Sequence, residues 1–122
     1  MDGRDLTIGA RVLARGLHAG STDARGRGLG EALAELAARV GESHGERHPA
    51  VAVAWLHLSL EQVTEAELAA SFGEEIASAV SALTPRAGEA AGTLAARALS
   101  HPLARLVWDA LGEDAERLRP AC

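Results

Sequence analysis

The sequence predicts an all-α fold, a compact bundle of about seven helices, and three observations carry that expectation. Apolar residues recur at intervals of three and four along most of the chain, the spacing of one face of a helix. Helix starts and stops punctuate the pattern at Pro49, Thr64, Pro85 and Pro102. Only three residues are aromatic, two Trp and one Phe, so the core is built from Leu, Val and Ala, a composition suited to helices packed at close range.

The elements follow in order. Leu6, Ala10, Leu13, Ala14 and Leu17 mark a first helix that ends near His18. Ala19 to Gly30, with four glycines among polar neighbours, reads as a loop. Leu29, Leu33, Leu36, Ala37 and Val40 define a second helix, with Glu35 and Arg39 spaced for an i,i+4 pair on its other face. Gly41 to Arg47 is expected to be a polar loop. Pro49 opens a third helix, running to about Leu60, that is apolar almost all round and therefore central and buried. Thr64 and Glu67 fit a capping box for a short fourth helix ending near Phe72. Glu74 and Glu75 suit the positive N-terminal end of a fifth, which carries Ile76, Val80 and Leu83 and stops at Thr84-Pro85. A sixth spans roughly Glu89 to Leu99. Pro102 opens the last, striped by Leu103, Leu106, Val107, Ala110 and Leu111, with Glu113 and Arg117 as a further i,i+4 pair.

A chain of 122 residues fits one domain, and 48% hydrophobic residues are too many for a disordered one. A net charge of −5 argues against generic nucleic-acid binding, which needs a basic surface. The start, Met1-Asp2-Gly3-Arg4-Asp5, lacks an apolar signal region, and the run from His48 to Leu60 is too short to span a bilayer. The single Cys, Cys122, cannot form an internal disulfide. These features predict a cytoplasmic protein without membrane association.

One segment carries chemistry by what it lacks. Trp55-Leu56-His57-Leu58-Ser59-Leu60-Glu61-Gln62 resembles the L-L-H-D-V-V-E-D helix of HD-type metal phosphohydrolases, as found in the RelA/SpoT-type alarmone hydrolases. Leu17-His18-Ala19-Gly20-Ser21 is similar to the A-H-x-G-Q segment of the small members of that family. Val63-Thr64 through Leu68, then Phe72-Gly73 through Leu83-Thr84, resemble its V-T-x-x-x-L and F-G-x-x-[IV]-A-x-x-V-x-x-L-T segments. Pro102-Leu103-Ala104-Arg105 and the following residues resemble P-L-A-R-x-V-K-L-A-D.

The resemblance implies an HD-domain-like bundle and a site of two His and two Asp around one divalent ion. Position by position, the first His becomes Ala32, His57 is retained, the first Asp becomes Leu58 and the last becomes Leu111. Glu61 remains and Gln62 replaces the second acid. One imidazole cannot hold a catalytic metal, and without the ion nothing lowers the pKa of a bound water. The expectation is a pseudoenzyme with no cofactor, His57 and Glu61 being remnants, that acts through a protein partner, a second copy of itself or a ligand. Leu58, Leu111 and Trp108, which stands at a family Lys, suggest a former cavity filled with hydrocarbon.

Two alternatives stay open. One is an active metal-dependent phosphohydrolase with ligands rearranged around His48, His57 and Asp109. His48-Pro49 is a true His-Pro pair, although it lies only nine residues before His57 and opens the same helix. The other is a metal-free nucleotide-binding regulator. Arg25 and Arg27, in the Gly-rich loop where the family holds its nucleotide, are the phosphate-gripping candidates, beside the plainer reading of a surface loop. His44 and His48, with Glu42 and Glu46, could take an adventitious metal, or simply form a polar loop. Trp108 on the last helix is the candidate contact for a homodimer.

Overall fold

The computed structural model describes residues 3–22 and 26–112. Arg25, the Glu113/Arg117 pair, Asp114 and Cys122 lie outside the described residues. The architecture is all-α. Among the described residues there are seven α-helices and no strand, only an isolated bridge between Thr22 and Gly28. The helices are α1 (Gly3–Leu17), α2 (Leu29–His44), α3 (Pro49–Leu56), α4 (Glu65–Phe72), α5 (Glu74–Leu83), α6 (Ala91–Ser100) and α7 (Pro102–Leu111), with one 3-10 turn (Ser59–Glu61) after α3. No helix among them is long and apolar enough to cross a membrane.

α3 is the axle of the bundle. Every residue from Ala50 to Leu56 is buried, and α1, α2, α5 and α7 all pack against it. Such a helix has no polar face to give to water, so it is stable only when surrounded. α2 lays Leu29, Leu33, Leu36, Ala37 and Val40 onto it. α5 contributes Ile76, Val80 and Leu83, and α7 contributes Leu103, Val107 and Leu111, with Leu106 and Ala110 at the margin of the stripe.

The local starts behave as the sequence predicts. Thr64 and Glu67 close a reciprocal capping box at α4, in which the Glu67 amide donates to Thr64 Oγ1 at 3.1 Å. Pro49 and Pro102 occupy first-turn positions of α3 and α7.

Three boundaries differ from expectation. α2 runs through Gly41 to His44, where a loop was predicted, because Gly41 is buried. A Cβ there would stand in ordinary van der Waals contact with Glu46 Cα at 3.5 Å and Val51 at 3.8 Å, so the helix continues through a position that is packed but not crowded. Gly45, at φ +108°, then ends it. α3 stops at Leu56, not near Leu60. Ser59 Oγ donates to the Leu56 carbonyl at 2.6 Å and His57 Nδ1 donates to the Ala54 carbonyl at 2.8 Å. Such side-chain bonds offer the backbone an alternative to the helix ladder. α6 begins at Ala91, and Glu89 instead pairs with Arg97, whose Nη2 also donates to the Thr84 carbonyl at 2.9 Å. Arg97 thereby ties α6 to the end of α5, and its guanidinium holds the Glu89 carboxyl below the usual range.

Candidate functional site

His57 follows the last turn of α3 and is 4% exposed. A carbonyl only accepts, so the 2.8 Å contact with Ala54 places the proton of the neutral ring on Nδ1 and leaves the lone pair on Nε2. Burial pushes the His57 pKa down from 6.5 to about 4; the Ala54 bond works against that shift and nearby His18 adds to it. The ring is neutral at pH 7.

The second imidazole of this region is one the sequence reading treated only as part of a motif. His18 caps the end of α1, its amide donating to the Ala14 carbonyl at 3.0 Å, and it is 3% exposed. Its Nδ1 lies 3.5 Å from Gln62 Nε2, the outer limit of a hydrogen bond, and the same Gln62 amide donates to the Leu17 carbonyl at 2.9 Å. Gln62 so ties the 3-10 turn to the end of α1. The His18 Nε2 is buried with no partner. Burial lowers the pKa of His18, while the exposed carboxylate of Glu61 acts in the opposite direction. The site is therefore two buried neutral rings, an amide clasp and one carboxylate at the rim. The packing of α1 on α3 brings His18 to His57, and no sequence spacing carries that information.

The positions aligned with metal ligands are apolar in surroundings as well as in identity. Ala32 on α2 and Leu111 at the end of α7 are buried, and Leu58, half-buried in the turn after His57, packs against the same hydrophobic cluster. Trp108 is half-buried and packs there too, whereas Asp109 faces solvent. Among the described residues, no three His, Cys, Asp or Glu side chains are grouped so as to hold a metal ion. His48, His57 and Asp109 are thus not brought together as ligands.

The remaining histidines do structural work. His48 is the N-cap of α3, its Nδ1 accepting from the Ala50 amide at 3.1 Å, and its ring stands 5.6 Å from that of His44. His101 caps α7 in the same manner, accepting from Leu103 and Ala104 amides at 3.1 and 3.4 Å. With Nδ1 accepting, the neutral His101 carries its proton on Nε2 and donates it to Ser78 Oγ at 2.9 Å. Ser78 in turn donates to the Glu75 carbonyl at 3.0 Å. The polarity is opposite to that of an activated nucleophile, in which the serine gives its proton to the imidazole.

In the Gly-rich loop, Arg27 makes a 2.6 Å ion pair with Glu35 of α2. The sequence spaces Glu35 to pair along its own helix with Arg39; the fold brings Arg27 of the loop to it. An Arg held by a carboxylate has less to offer a phosphate, which would have to compete for it. The chain matches no protein-family model, no curated protein and no solved structure.

Proposed function

We propose that this chain is a non-catalytic relative of the HD-type phosphohydrolases that acts through binding, with no resident metal. The observation that carries the reading is the environment of His57. Its Nδ1 donates to a backbone carbonyl and its Nε2 keeps the lone pair, which is how a metal-ligating imidazole is oriented. Its co-ligands are missing: Ala32, Leu58 and Leu111, at the aligned positions, belong to one hydrophobic cluster. A lone neutral imidazole cannot fix a divalent ion or lower the pKa of water on it. Replacing buried acids by Leu stabilises the domain, since unpaired buried carboxylates are costly and apolar burial is favourable. The pattern fits a scaffold kept after its reaction was lost.

Two measurements test it. After dialysis against Mn, elemental analysis should find no stoichiometric Mn, Fe, Zn or Mg. Guanosine tetraphosphate should keep its 3′-pyrophosphate at the background rate even with excess Mn. One ion per chain that vanishes in His57→Ala, together with turnover abolished by chelator, would establish a working hydrolase instead.

A further inference from the structure

The face of the protein with the most unused chemistry lies away from His57, on α1 and α2. Both helices lean on α3, yet they scarcely touch each other. The gap between them is a groove of about 370 Å³ whose floor is Val51 and Trp55 of α3. Its α2 wall is made of small residues, Ala34, Ala38 and Gly41, which allow another helix to approach closely.

α1 carries more apolar surface than its packing uses. Its buried stripe is Ala10 and Ala14, with Leu6, Leu13 and Leu17 at the margins. Ile8 and Val12, four residues apart, point away from that stripe and are 53% and 64% exposed. They account for two of the three large hydrophobic residues exposed among the described residues. Ile8 stands on the groove rim.

The charges on the two walls are opposite. Arg11 lines the α1 side, and Arg15, one turn on, sits 5.5 Å from the centre of the Trp55 ring. Glu42 and Glu46 line the other side. Arg11, Glu42 and Glu46 are exposed, and among the described residues none of their side chains makes a hydrogen bond or ion pair. The basic, apolar-crested α1 and the small, acid-bearing α2 side of the groove are therefore complementary, and one molecule presents both.

We infer that this groove receives α1 of a second copy, in a two-fold symmetric dimer. Each α1 lies along the other molecule's groove, with Ile8 and Val12 against the small-residue wall and Arg11 meeting Glu42 and Glu46 of the opposite copy. Two-fold symmetry uses each complementary pair twice and closes the assembly at two chains. The surface stands on its own geometry, whether or not the chain is an HD relative.

Light scattering coupled to size exclusion, over a range of concentrations of the full chain, tests the inference. The expected mass is twice the 12.6 kDa of the chain. Ile8→Glu with Val12→Glu should give a monomer of unchanged helical circular dichroism, and the milder Ile8→Gln with Val12→Thr should weaken association without disturbing the fold. Arg11→Glu should weaken the dimer by about tenfold or more, by setting like charges together, and Glu42→Arg combined with it should restore association. A wild-type monomer at every concentration overturns the inference. So does a dimer indifferent to these four positions, or one lost on Trp108→Ala alone, which would place the contact on α7.

Discussion

Acid should destabilise this protein through His57 in particular. The buried ring has a pKa of about 4 against 6.5 for an unperturbed imidazole. A pKa depressed in the folded state means that the unfolded chain takes the proton first as pH falls. The stability owed to keeping the ring neutral is fully present above pH 6.5 and is lost progressively down to about pH 4, below which the loss is complete. That interval corresponds to about 3 kcal/mol, or roughly 10 °C of melting temperature for a chain of this size. The comparison is with His57→Asn, which retains a side-chain N–H donor for the Ala54 carbonyl but does not titrate. Groups that do not interact with His57 contribute equally in both proteins and cancel in the difference. Urea unfolding between pH 7 and pH 4 should show the native protein losing about 3 kcal/mol more than the variant. Parallel stability curves, or a His57 ring signal titrating near pH 6.5 by NMR, would refute the burial argument.

Other outcomes follow from the same geometry. His18→Leu should stabilise the chain by about 1 kcal/mol, read as a higher urea midpoint, because it removes a buried ring nitrogen that has no partner; a large loss of stability would mean that His18 is satisfied. Thr64→Ala should cost about 1 kcal/mol by opening the capping box at α4, read as a lower melting temperature. Ala32→His, Leu58→Asp and Leu111→Asp together should destabilise the chain by several kcal/mol and restore a Mn-dependent rise in melting temperature, since two acids set into the core need an ion. A stable triple variant indifferent to Mn would show that these positions do not correspond to an HD metal site.

Much of the fold was legible because its determinants are local. The all-round apolar character of α3 announces a central helix, and the Thr64 and Glu67 pair announces a cap, whatever the rest of the chain does. The end of α3 was not legible by the same means. Apolar periodicity continues through Leu58 and Leu60, and what stops the helix is a pair of side-chain bonds from His57 and Ser59 back to carbonyls three residues earlier. The extension of α2 through Gly41 was hidden for the converse reason: glycine reads as a break, yet here it lies buried inside the helix, packed by the following turn and Val51.

The candidate site divides along the same line. The apolar replacements at Ala32, Leu58 and Leu111 were visible in the sequence, but their membership in one hydrophobic cluster is a tertiary fact. His18 and Gln62 join the site through α1 packing on α3, and Arg27 is drawn to Glu35, eight residues away, by the path of the loop. Histidine shows the limit most clearly. His48 and His101 each precede a proline at a helix start, and both turn Nδ1 onto the first amides of their helices. His57 precedes no proline and ends a helix, yet its Nδ1 donates to a carbonyl as a ligand's would. The type and neighbours of an imidazole therefore leave its role open. What decides it is which ring nitrogen the backbone occupies and what the fold then places in front of the other.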